Sequence, residues 1–196
     1  SDWTSANVNF AIDAFGNVRM ERGDGLSGRA DQLHYNGSTE VMNLVGNVSI
    51  TKDNRTLSSQ AIDYYVPTNV GKYESNGRLE DPKNVLTSIV GEYNFNTDNA
   101  VFSNNVDLVN SKDNYNMHTN KLLYNTRTNI ATLVEATDII SDENKIVTSS
   151  GNYNTDSEVA NLYVKNGVQP ILYAKDDRTL EGDTIHYERV SGEGTA

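Results

Sequence analysis

The stretch "LVGNVSI", residues 44–50, decides how the rest of the chain is read. Leu44, Val45, Val48 and Ile50 suit a β-strand, yet Gly46 and Asn47 in their midst are among the poorest strand formers. Similar interruptions stand in "AFGNVRM" (14–20), "SNGRLED" (75–81), "FSNNVDL" (102–108) and "KNGVQPI" (165–171). A chain that breaks its strands at a regular phase is built from repeats, and such periodicity outranks local propensity in assigning a fold.

Two further landmarks interleave with the breaks. An aromatic residue closes a short apolar step at Tyr35, Tyr64, Phe95, Tyr124, Tyr153 and Tyr187, with Trp3 as an earlier member, at gaps of 32, 29, 31, 29, 29 and 34 residues. An acidic turn recurs at Asp24-Gly25, Asp53-Asn54, Asp81-Pro82, Asp113-Asn114, Glu143-Asn144 and Asp176-Asp177, at gaps of 29, 28, 32, 30 and 33. Held in fixed order, the landmarks describe about six units of roughly 30 residues each. One copy, "VEATDII" around Ala136, has lost its Gly or Asn.

Each unit carries two turns: the acidic one, and another after the aromatic, as in "YNGST", "FNTDN", "YNTRTN" and "YNTDS". Asn, Asp, Thr and Gly there supply side-chain-to-backbone bonds and tolerate left-handed backbone. Between turns run segments of roughly ten residues with period-two alternation, which is strand length and strand pattern. Met42, Leu44, Val48 and Ile50 share a face, as do Ala160, Leu162, Val164, Val168 and Leu172. On return legs the parity slips: Leu57, Ser59 and Ala61 give way to Ile62 and Tyr64, and Leu26, Gly28 and Ala30 to Leu33 and Tyr35. A parity change requires a bulge or bend. The pattern therefore predicts an all-β chain, an antiparallel meander of long hairpins creased at the Gly-Asn level into two facing sheets. An apolar trough would lie between them.

Composition narrows the function. With 16 Lys+Arg against 27 Asp+Glu the net charge is −11 over 196 residues, a field that repels nucleic-acid phosphates and anionic bilayers. Nucleic acid is therefore set aside as a partner. No segment approaches the roughly 20 apolar residues of a membrane helix. The sequence has neither a start Met nor a signal-like run, which reads as a chain that is not exported or one trimmed of its targeting segment. The absence of cysteine excludes disulfides, thiol nucleophiles and Cys-ligated metals. His34 and His186 occupy the same repeat position and read as scaffold; His118 shows no convincing Ser or Asp partner in sequence. No pair of histidines has zinc-ligand spacing, and the acidic turns lack the regular carboxylates of a calcium loop. No catalytic residue, metal or cofactor is expected, and the chain reads as a non-enzyme.

The ordered series of "LVGNVSI", "RTLSSQAIDYY" and "RTLEGDTIHY" resembles the OstA/LptA family, over about residues 14–190. That resemblance implies a twisted β-jellyroll with open ends, periplasmic in a Gram-negative cell and associated with the outer membrane. It implies a non-enzymatic carrier that bridges inner and outer membranes in lipopolysaccharide export. The acyl chains of lipopolysaccharide would lie in the trough against Met42, Leu44, Val48, Ile50, Leu57, Ile62, Phe102, Val106, Leu108, Met117, Leu122, Val147, Leu162, Val164, Val168, Leu180 and Ile185. Other OstA/LptA-fold domains, or further copies of the chain, would dock end to end by strand pairing. Bridge protein and N-terminal domain of an outer-membrane translocon both fit. Residues 1–190 read as one domain and 191–196 as a tail or linker cut from a longer protein, while the irregular stretch 66–88 suggests an insertion or rim loop. The competing reading is a β-solenoid or sandwich interaction module, a cell-surface carbohydrate-binding or structural domain with a dry core and its functional residues outside.

Overall fold

A strand that meets a left-handed pair of residues must turn, and this chain turns at the same level in rung after rung. The computed structural model describes residues 10–196, so Trp3 lies outside the described residues. Six long strands run through the bend: β1 (Ala11–Glu21), β2 (Ser27–Asn36), β3 (Val41–Lys52), β4 (Arg55–Tyr65), β9 (Asn99–Asn110) and β10 (Tyr115–Asn125). Elsewhere the rung is cut at the bend into two short strands. These are β5 (Val70–Tyr73) and β6 (Gly77–Glu80), β7 (Asn84–Ser88) and β8 (Val90–Asn94), and β11 (Ile130–Leu133) and β12 (Thr137–Ser141). There follow β13 (Asn144–Thr148) and β14 (Gly151–Asn154), β15 (Val159–Tyr163) and β16 (Ile171–Ala174), β17 (Thr179–Glu181) and β18 (Thr184–Glu188), and finally β19 (Glu193–Thr195). Pairing is antiparallel throughout, as in β3 on β4 and β9 on β10.

The mechanics of the crease explain the parity slip. On β3, Gly46 and Asn47 take φ of 80° and 45°; on β9, Asn104 and Asn105 take 66° and 57°. These two-residue steps preserve the inward parity of Leu44 and Val48, or of Phe102 and Val106. Opposite them the partner strand carries a single unpaired residue, Gln60 on β4 or Asn120 on β10, which flips parity. The side chain of that residue accepts a bond from the crease amide: Asn47 N–H to Gln60 Oε1 at 3.5 Å, Asn105 N–H to Asn120 Oδ1 at 3.3 Å. At the copy that lost its Gly or Asn, Thr119 and Thr137 hold the bend instead: Thr119 Oγ1 donates to the Ala136 carbonyl at 3.0 Å and accepts from Thr137 Oγ1 at 3.1 Å.

The meander thus becomes an open β-jellyroll of two facing sheets. One holds the halves of the rungs that end at the acidic turns, the other those that end at the turns after the aromatic residues; they are called here the acidic-side and aromatic-side sheets. Between them lies a single apolar cluster from Leu26 to Tyr187, with Ile50, Leu57, Leu79, Leu86, Phe102, Leu108 and Leu122 wholly out of solvent.

Several expectations are corrected here. Residues 66–88 hold no insertion: they supply β5, β6 and β7, and Leu79 and Leu86 enter the core. Val164 and Val168, 38% and 61% exposed, do not face the interior. Asn166 and Gly167, both with positive φ, close a two-residue turn bonded from Lys165 to Val168, and that excursion carries both valines off the sheet. Val147 also points away from the core. In the ladder of β13 with β12 and β16, Ile146 and Thr148 are the inward, buried members. Glu193–Thr195, placed in a tail by sequence, pairs with β18. Finally, the trough is filled midway by the chain's own side chains. The Tyr73 ring lies across Gly77 and Gly91, and its hydroxyl sits 2.7 Å from Ser88 Oγ.

Candidate functional site

The two sheets are continuous through the backbone only at the crease. Along the opposite margin the acidic turns face the aromatic-side turns, and among the described residues every hydrogen bond across this seam involves a side chain.

On the aromatic-side sheet one inward row runs parallel to the seam, and its register follows a simple rule. Tyr35 pairs with Met42, Met42 with Tyr64, Tyr64 with Gly71, and Gly71 with Tyr93. Tyr93 then pairs with Ala100, Ala100 with Tyr124, Tyr124 with Ala131, Ala131 with Tyr153, Tyr153 with Ala160, and Ala160 with Tyr187. A tyrosine on every second strand leans over a small or flexible residue on the strand between, as cross-strand packing favours. One tyrosine per hairpin is the physical content of the period near 30 residues. The row member in the third unit is Tyr93 rather than Phe95, whose ring packs edge-on against Tyr93 at 4.7 Å.

The same rings place their hydroxyls at the seam, apolar body inward and polar tip outward. Tyr64 donates to Asn69 at 2.8 Å and accepts from Arg22 at 3.1 Å, reaching across from the acidic side. Tyr93 donates to Asp98 at 3.0 Å and lies 3.0 Å from Thr126 Oγ1. Tyr124 donates to Asp81 at 2.8 Å and lies 3.1 Å from Thr155 Oγ1, while Asn84 donates to the Tyr124 hydroxyl at 3.1 Å. Asn144 donates to Tyr187 at 2.6 Å. Cations complete the row: Arg55 donates across to the Thr126 carbonyl at 2.8 Å, Lys83 pairs with Asp156, and Arg189 donates to the Asp113 carbonyl at 2.6 Å. Burial pushes the phenol of Tyr73 up to about 12, and those of Tyr93, Tyr115, Tyr124 and Tyr153 higher still. The hydrogen bond with Arg22 holds the exposed Asp24 carboxyl well below the usual carboxylate range.

These bonds join acidic turns to aromatic-side turns one or two units further along the chain, as Arg22 to Asn69 and Asn84 to Thr155 show. The sheets are therefore skewed, as the twist of each dictates. At the C-terminal end a cavity of about 520 Å³ opens between them, floored by Leu172, Leu180 and Tyr187 and rimmed by Lys175, Asp176 and Arg178. At the other end, among the described residues, β1 pairs only with β2 and shows Ile12 and, on its outer side, Phe15 at 72% exposure.

Of the positions predicted to line the trough, Leu44, Val48, Ile50, Leu57, Ile62, Phe102, Val106, Leu108, Met117, Leu122, Leu162 and Ile185 are buried between the sheets. Met42 and Leu180 pack half-buried against the same cluster. The seam cations escaped the sequence reading, since Arg22, Arg55 and Arg189 follow no period; only their nearness to turn landmarks could have marked them.

The structure defines the class: an all-β, creased jellyroll with an apolar interior and a polar seam. The chain belongs to the OstA-like protein family, whose profile matches residues 4–118, more than half its length. That family is one of transport and bridging proteins rather than of enzymes. Compared with curated proteins, the chain finds no match.

Proposed function

We propose that this domain carries the acyl portion of lipopolysaccharide between its two sheets and docks end to end with domains of the same fold, spanning the periplasm from inner to outer membrane. The observation that supports it most is the single apolar cluster running from Leu26 to Tyr187, in a chain of the OstA-like family, closed along the seam by bonds that involve side chains. Acyl chains reach that interior when the seam parts, each buried methylene contributing about 0.8 kcal/mol toward binding. The edge of β1 that no described residue pairs, at one end, and the C-terminal cavity at the other supply backbone donors and acceptors and apolar surface for a neighbouring domain.

The tight middle around Tyr73 favours the second reading, an interaction module with a dry core. Photo-crosslinking separates the two. A photoreactive residue at Leu44 or Val106 is expected to form lipopolysaccharide adducts in the presence of the export machinery, while one at outward-facing Thr87 forms none. Adducts at Thr87 alone overturn the carrier and leave the dry-core module.

A further inference from the structure

The tyrosine row contains one buried member whose hydroxyl is left unbonded. Tyr93 and Tyr124 each bond the threonine hydroxyl of the next aromatic-side turn, Thr126 and Thr155, which stand two residues after their own row tyrosines. The equivalent position two residues after Tyr187 holds Arg189. A threonine hydroxyl can accept a bond from a phenol; a guanidinium can only donate. Arg189 does not reach the Tyr153 hydroxyl as Arg22 reaches that of Tyr64, and Tyr153, 1% exposed, has no partner for it, although the row's other buried tyrosines, Tyr64, Tyr93, Tyr124 and Tyr187, are all bonded.

Arg189 is held over this gap. One of its terminal nitrogens pairs with Glu158, the other donates to the Asp113 carbonyl across the seam, and its guanidinium lies 5.8 Å from the Tyr115 ring centroid. Tyr115 in turn meets the Tyr153 ring edge-on at 5.3 Å. The Arg189 Nε–H is buried without an acceptor. Among the described residues the buried side-chain polar atoms left unpartnered are Tyr153 Oη, Arg189 Nε and Arg55 Nε, all on seam residues and all able to donate. Two of them, Tyr153 Oη and Arg189 Nε, are joined through the Tyr115 ring beside the Arg189–Glu158 ion pair and above the apolar interior, and the oxygens of an anion would supply the acceptor each lacks.

We propose that Tyr153 and Arg189 form a binding site for the anionic oxygens of a phosphorylated amphiphile's headgroup, taken up when the seam opens and the chain enters the interior. The site rests on the carrier reading and adds to it the place where the headgroup is recognised.

The test titrates the full chain calorimetrically with dodecyl phosphate, with dodecyl maltoside and with inorganic phosphate, the amphiphiles below their micellar concentrations. The wild type is expected to prefer dodecyl phosphate to the neutral maltoside by about tenfold, the worth of one charge-assisted bond. Tyr153→Phe, which removes a hydroxyl that bonds nothing, leaves the melting temperature unchanged or raises it, yet abolishes most of that preference. Arg189→Thr restores the residue of the two preceding units, Thr126 and Thr155, and has the same effect on binding. A preference untouched by Tyr153→Phe overturns the site and leaves the carrier standing. Inorganic phosphate binding as tightly as dodecyl phosphate assigns the donors to a free anion and overturns the headgroup assignment. Failure of both amphiphiles to bind the wild type removes the carrier reading and the site together.

Discussion

Whether the interior is packed or hollow midway along turns on one ring and one glycine. An ideal Cβ on Gly91 would lie 2.3 Å from Tyr73 Cζ and 2.5 Å from its hydroxyl oxygen, so the ring fills the space a side chain would need. Gly91→Ala is expected to cost about 1–3 kcal/mol by overpacking, offset by about 0.5 kcal/mol from the stiffer unfolded chain. Tyr73→Ala empties a site that is 1% exposed and should cost about 3–5 kcal/mol. It also removes the 2.7 Å bond to Ser88, which retains its 2.8 Å bond to the Val90 carbonyl. Combined, the new methyl falls into the vacated volume, so the double variant is expected to be no less stable than Tyr73→Ala alone. Urea denaturation of the wild type, both single variants and the double gives the cycle, provided the slope of free energy with urea stays constant. A coupling of about 1–3 kcal/mol marks a filled interior. Additivity within about 0.5 kcal/mol would show that ring and glycine do not share the space, and the plug would have to be abandoned.

Two further outcomes test the crease and the buried row. Gly46→Ala forces a β-carbon onto backbone at φ +80° and within 2.4 Å of Asp31 Oδ2, so a loss of about 1–2 kcal/mol is expected in thermal melting, and no change would remove Gly46 from the crease mechanism. Alkali should unfold the protein: the Tyr73 phenol is raised from 10.0 to about 12, so its contribution is intact below pH 10 and is lost as pH climbs from about 10 to 12, because the unfolded state ionises first. That single group is worth about 2.7 kcal/mol over the window at 1.36 kcal/mol per unit, and Tyr93, Tyr115, Tyr124 and Tyr153 add to it in the same direction. Tyrosinate absorbance rising near pH 10 without loss of β-structure would contradict the burial of these rings.

Repetition made the architecture legible. Gly46-Asn47 and Asn104-Asn105 appear in sequence as flaws in good strands, and in space both are the left-handed step that folds the meander. The slip from Ala61 to Ile62 is the single residue, Gln60, left over on the partner strand. The same landmark misled at Asn166-Gly167, because two residues of positive φ serve equally as a crease or as a tight hairpin turn. Which of the two forms depends on whether a neighbouring strand supplies the opposing residue. Val147 and Ile146 were likewise indistinguishable by type, and only pairing with β12 and β16 chose the inward one. Leu79 and Leu86 escaped notice because strands of four and five residues are too short to display alternation.

By itself the chain determined its period, its two kinds of turn, the level of the bend and the apolar identity of what the bend encloses. All of these depend on residues close in sequence, where φ preference and alternation act directly. Tertiary structure alone decided how the sheets meet. Arg189 and Asp113 lie 76 residues apart, and Asn84 and Thr155 lie 71 apart. The skew that brings them together comes from strand twist accumulated over many rungs, so no local signal announces which turn will face which, or that Tyr153 will be the phenol left without an acceptor.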